Sequence, residues 1–126
     1  LQGASEVAQI LQKLPNARVK VLVLWTPLLG RDSRFAAQDA TVYLPDSRAQ
    51  HFWDLWTFGV SHYTQKLKYP EDRLAWDIFV LYGTGIEWRS SGAAPDPSFW
   101  MQHHNLDIGP KYTKALLKSE LEKLLR

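Results

Sequence analysis

Ala75-Trp76-Asp77-Ile78-Phe79-Val80-Leu81-Tyr82-Gly83-Thr84-Gly85-Ile86-Glu87-Trp88-Arg89-Ser90-Ser91 is the stretch on which the fold turns. Ile78 to Tyr82 is a short run of β-branched, aromatic and aliphatic residues. It is too short for a buried helix and suits a strand covered on both faces. Gly83 and Gly85 can supply the positive φ of a tight reversal. Ile86 and Trp88 then share one face, with Glu87 and Arg89 on the other. That alternation predicts an antiparallel edge strand closing a β-hairpin.

Working toward the N-terminus, Val60, Tyr63, Thr64 and Leu67 predict a helix that Tyr69-Pro70 ends. Gln50 to Trp53 is a short strand candidate. Ala36, Ala40, Tyr43 and Leu44 lie on one face of an earlier helix, with Asp32 or Ser33 as its cap. Val19 to Trp25 is the strongest strand in the chain. Its apolar run predicts a central strand covered on both faces, stopped by Thr26-Pro27. Val7, Ile10, Leu11 and Leu14 predict an amphipathic first helix, capped by Ser5 and ended by Pro15-Asn16.

Toward the C-terminus, Pro95 and Pro97 predict an irregular segment from Gly92 to Asn105. Gly109-Pro110 predicts the opening of a last helix lined by Leu117, Leu121, Leu124 and Leu125, with Glu122 and Arg126 as an ion pair.

The chain's 126 residues predict a single domain with a real core. A net charge of +2, with basic and acidic residues interspersed, argues against nucleic acid as a partner. No apolar run approaches the ~18–20 residues of a membrane span, so a soluble chain of unassigned compartment is expected. Leu1 to Leu14 is amphipathic and holds Glu6, unlike a signal peptide. The first residue is not Met, which reads as a processed protein or an excised domain. Six tryptophans predict a Trp-rich core, the alternative being an exposed aromatic binding surface.

Alternating helices and strands with a closing hairpin predict an α/β fold. The apolar strand ending in Trp25-Thr26-Pro27, the strand and glycine turn of Phe79 to Gly85, and the leucine-rich last helix resemble the thioredoxin-like family across nearly the whole chain. The resemblance implies a three-layer α/β/α sandwich with a mixed sheet and a C-terminal hairpin plus helix. Two alignments stay open. In one, Val19 to Trp25 leads to the place of the redox Cys-x-x-Cys, held here by Thr26, Pro27, Leu28 and Leu29. In the other, the first helix follows a motif lying before Leu1, and one strand lies outside the chain. The family's cis-proline position is held by Leu74-Ala75-Trp76-Asp77.

Chemistry is sparse. The chain has no cysteine, so it cannot by itself attack a disulfide with a thiolate. His103 and His104, near Met101, Asn105 and Asp107, are weak metal candidates whose spacing matches no established motif, and no metal or other cofactor is expected. Asp54, Ser61 and His62 lack a nucleophile elbow, and Glu71-Asp72 reads as a solvated turn. In His51-Phe52-Trp53-Asp54-Leu55-Trp56, Asp54 reads as a cap and the tryptophans as either core or partner anchors.

These readings predict a non-catalytic binding or structural module for a protein or peptide. Its binding candidates are Trp25, Thr26, Pro27, Trp53 and Trp76. The alternative is a thiol–disulfide oxidoreductase whose Cys-x-x-Cys lies upstream of Leu1. A lost strand would leave Val19 to Trp25 as an exposed sheet edge, protected only by Lys20, from which a homodimer could form.

Overall fold

The computed structural model describes residues 2–28, 32–89 and 92–126. The chain is a mixed α/β protein in two compact units, Leu1–Phe58 and Gly59–Arg126.

In the first unit, α1 (Gln2–Lys13) precedes β1 (Val21–Trp25), α2 (Arg34–Ala40), a 3₁₀ turn (Thr41–Tyr43) and β2 (Ala49–Trp53). β1 and β2 pair in parallel, with Val21 opposite Ala49 and Trp25 opposite Trp53. A parallel pair needs a crossover, and α2 provides it. Ser33 is the cap of α2, its Oγ accepting from Ala36 N at 3.0 Å, while Asp32 Oδ2 accepts from Leu28 N at 2.9 Å. Ile10, Leu11, Ala37, Ala40 and Leu44 are buried.

The first helix begins at Gln2, ahead of the expected Ser5 cap. Its C-terminal end is closed by a residue from a distant loop. Arg48 donates through Nη1 to Leu14 O (2.7 Å) and Ala17 O (3.2 Å), and through Nη2 to Leu11 O (3.0 Å). Nε and Nη2 also donate to the two Asp46 carboxylate oxygens, at 2.9 and 2.8 Å. All five guanidinium hydrogens are thereby used. This contact ties α1 to the start of β2 and satisfies carbonyls that a helix end leaves orphaned.

The expectation that both faces of Val19 to Trp25 are covered is overturned. β1 alternates, with Val21, Val23 and Trp25 partly covered but Leu22 58% and Leu24 45% exposed. Phe52, paired with Leu24, is 46% exposed on the same face.

The second unit holds the rest of α3 (Phe58–Lys66), β3 (Ile78–Leu81), β4 (Phe99–Gln102) and α4 (Lys114–Leu124). Asp54 Oδ1 accepts from Phe58 N at 3.0 Å and so caps α3, as its sequence position suggested. β3 is the expected strand, but its antiparallel partner is β4, with Ile78 opposite Gln102 and Leu81 opposite Phe99. The expected hairpin strand at Ile86 to Trp88 is therefore not formed. Trp88 instead turns its indole N–H to Gly92 O (3.2 Å) and packs edge-on to His62 and Tyr63. Phe99 to Gln102, expected to be irregular, carries the more apolar face, and pairing it with β3 buries Met101 completely.

The last helix starts at Lys114 with Thr113 as its cap, so the expected Gly109-Pro110 opening is also corrected. Gly109 has a different task. A Cβ there would lie 2.4 Å from Cζ2 of Trp100, so only glycine lets the backbone approach that ring. Glu122 pairs with Lys118, not with Arg126. Leu67, Tyr69 and Ala75 form a core joined by Tyr63, Ile78, Trp100, Leu106 and Ile108.

The Trp-rich core does not form. None of the six tryptophans is fully buried, and Trp56, Trp76 and Trp88 are exposed. The interior is mostly aliphatic and small residues, joined by Tyr69, Met101 and Gln102, because an indole carries a polar N–H and a volume that few sites can enclose.

Candidate functional site

Parallel strands end on the same side, and in open α/β sheets that carboxyl end is where ligands bind. Trp25 and Trp53 face one another there. Asp54 N donates to Trp25 O at 2.8 Å, which prolongs the pairing beyond β2. Thr26 and Pro27 follow directly, partly covered. Four of the five expected binding residues thus gather at one strand end. Trp76 belongs to the second unit.

The Trp25 indole N–H donates to His51 Nδ1 at 3.1 Å, and the two rings lie 15° from parallel. An Nδ1 that accepts leaves the hydrogen on Nε2, which then donates to Leu44 O at 3.1 Å. Both His51 nitrogens are engaged, so this ring orients Trp25 and is not available as a base or a ligand. The turn after β2 exposes Leu55 at 54% and Trp56 at 73%, and the first residue of α3, Phe58, is 63% exposed. Thr57 within that turn has φ of 56°, a strained value for a β-branched residue. With Leu22, Leu24 and Phe52 on the open sheet face, this unit presents an apolar surface of a kind that marks interaction sites.

The histidines of the second unit diverge. His103 Nδ1 lies 2.8 Å from Asp77 Oδ2, whereas His104 Nε2 contacts Trp76 O. His104 is ringed by Trp76 and Tyr69, and His103 by Phe79 and Tyr112. Each imidazole already has one nitrogen bound within the protein. Among the described residues, no group of three or more His, Asp or Glu side chains is placed to hold a metal ion.

Beneath His103, Gln102 is wholly buried yet satisfied. Its amide Nε2 donates to Leu106 O and Gly109 O, and its Oε1 accepts from Leu106 N at 3.1 Å. Its backbone N donates to Pro110 O and its carbonyl accepts from Tyr112 N, at 3.0 and 2.8 Å. Gln102 therefore fixes the whole 103–112 loop.

Three tyrosines in this unit have hydroxyl pKa values raised above the usual range by burial. Tyr69, whose buried hydroxyl has no hydrogen-bond partner among the described residues, is pushed up to about 12. Tyr63 and Tyr82 are raised as well, their hydroxyls 2.8 Å apart, with Tyr82 donating on to Pro95 O.

A larger hollow of about 440 Å³ in the first unit is lined by Leu11, Gln12, Pro15, Asp46, Ser47 and Arg48. Its cation is fully occupied by Asp46 and the end of α1, so it is structural.

Arg48, Gln102 and the Asp77–His103 pair escaped sequence reasoning. Only Gln102 left a trace, as the one polar residue closing the run Phe99-Trp100-Met101. No helix among the described residues is long and apolar enough to cross a membrane. Comparison with known protein families, with curated proteins and with solved structures finds no match.

Proposed function

We propose that the chain is a thioredoxin-like binding module without redox chemistry of its own, whose ligand is an extended apolar segment of a protein partner. One observation carries the reading: β1 and β2 are parallel, yet Leu22, Leu24 and Phe52 stand exposed on one face. Parallel strands are ordinarily covered on both faces. An added strand would gain main-chain hydrogen bonds along an open edge and seat alternate side chains against Leu24 and Phe52. Trp56 and Phe58, beside the strand ends, are of the residue types that anchor interfaces. The three-layer sandwich is part of this proposal.

The test is a Leu24→Ser, Phe52→Ser double variant and a labelled peptide of about eight residues alternating valine and threonine. The native chain binds it with saturable fluorescence anisotropy. The variant keeps its melting midpoint and loses at least about tenfold in affinity. A variant that unfolds would mean that the face is covered within the chain and would overturn the reading, as would undiminished binding. A native chain that sediments as a dimer dispersed by the same substitutions would replace the peptide with a second copy.

A second reading is favoured by the connectivity. α2 and β2 lie between β1 and β3 in the chain, and β2 runs parallel to β1. This order is compatible with the alignment in which α1 follows a Cys-x-x-Cys and β1 is the next strand. On that reading the chain is part of a thiol–disulfide oxidoreductase. The natural gene decides it: a strand and Cys-x-x-Cys within about 15 residues before Leu1 support it, and their absence removes it.

A further inference from the structure

Asp77 and His103 are 26 residues apart in sequence and meet at 2.8 Å. Asp77 flanks β3 with φ of 55°, in the left-handed region that aspartate tolerates better than most residues. The carboxylate holds the imidazole by Nδ1, and the edge of the same ring meets Tyr112 at 4.5 Å between ring centres. Tyr112 is itself stacked on Phe79 at 4.3 Å and 14°. His103 is therefore a fixed wall, held by an anion on one side and an aromatic stack on another. Its Nε2 has no hydrogen-bond partner among the described residues.

That wall borders a hollow of about 200 Å³ lined by Gln102, His103, Asn105, Lys111 and Tyr112. The buried Gln102 amide is fully engaged with Leu106 and Gly109, and His103, Asn105 and Lys111 offer polar groups to a ligand. Lys111 is bridged to Gln102 through the backbone, which fixes its position at the rim. No acidic side chain among the described residues forms an ion pair with it. The Asp77 carboxylate is already turned to His103.

We propose that this hollow binds a small carboxylate. Lys111 supplies the positive charge, and the Asn105 amide offers N–H donors to the second oxygen. A lysine ammonium is a compact point charge that accepts a carboxylate without demanding a bidentate fit. A monoanion matches the one cationic side chain, Lys111, that lines the hollow. The volume is below the ~300–1,000 Å³ of sites for drug-sized ligands and admits only a few heavy atoms. A free short-chain acid and the C-terminal carboxylate of a peptide share this chemistry. The site is independent of the apolar face on which the proposed peptide binding rests.

The test follows the Asn105 side-chain amide and the His103 ring by NMR as acetate or N-acetylglycine is added at constant ionic strength. Saturation in the region of 1 mM is expected. Lys111→Gln weakens binding about tenfold, and Lys111→Arg keeps it within about threefold, since the charge-assisted contact survives only in the latter. N-acetylglycine binding tighter than acetate assigns the site to peptide termini, and equal affinities assign it to free acids. Shifts that rise without saturating, that chloride reproduces, or that persist unchanged in Lys111→Gln overturn the proposal.

Discussion

The parallel pair β1–β2 and the antiparallel pair β3–β4 have two strands each, but they are secured differently. β1–β2 is held at its starting end by a charged side chain, Arg48, which joins Asp46 to the carbonyls ending α1. One of its faces is left open, with Leu22, Leu24 and Phe52 exposed. β3–β4 is held by a neutral one, Gln102, sealed in the interior with its loop wrapped around it. β3 is partly covered along its length, and Met101 and Gln102 of β4 are buried. A guanidinium can stay at the surface and still reach several carbonyls. An uncharged amide can be buried outright, because its few hydrogen bonds can all be met inside the protein. The first unit therefore leaves one face of its strand pair open, whereas the second covers its strand pair within its own fold.

The largest expected effect breaks the second unit. Gln102→Leu keeps the volume but orphans Leu106 N, Leu106 O and Gly109 O, and should cost on the order of 3 kcal/mol in denaturant unfolding. Leu24→Ser, on the open face of the first unit, should cost no more than about 0.5 kcal/mol. Equal costs would erase the contrast between the two pairs.

The next effect separates the units by pH. Hydrogen bonds from Arg48 hold the Asp46 pKa down, from 3.8 to about 2. A carboxyl lowered in the folded state stabilises it above 3.8, and that contribution is lost as the pH falls toward 2. Tyr69 moves the other way, from 10.0 to about 12, because burial disfavours the phenolate. Its contribution is complete below pH 10 and is lost as the pH climbs toward 12. Melting midpoints by circular dichroism across both windows should show Arg48→Met flattening the acid limb alone and Tyr69→Phe reducing the alkaline limb alone. A variant that alters both limbs would contradict this assignment.

The smallest effect is a gain. The Tyr69 hydroxyl is buried without a hydrogen-bond partner among the described residues. Tyr69→Phe at neutral pH should therefore stabilise the chain by about 1 kcal/mol in denaturant unfolding. A loss of that size would show that the hydroxyl is solvated.

Sequence by itself determined the elements whose signals are local. β1, β2 and β3 lie within a few residues of their apolar runs, and Ser33 and Asp54 cap α2 and α3 through short-range oxygen-to-amide bonds. Trp25, Thr26, Pro27 and Trp53 were legible as candidates, but their gathering at one strand end depends on the parallel pairing of β1 and β2, which only the folded chain shows. Tertiary structure alone decided the rest. Gly83 and Gly85 permit a tight turn, but β3 pairs with Phe99 to Gln102, since pairing is settled by which partner buries more apolar surface and not by the nearest turn. Only the folded chain distinguished tryptophans that are half covered from tryptophans that stand in solvent. Only there could Arg48 reach Leu14, or Asp77 reach His103, across 34 and 26 residues. Such contacts are set by distances in space, which composition and periodicity do not encode.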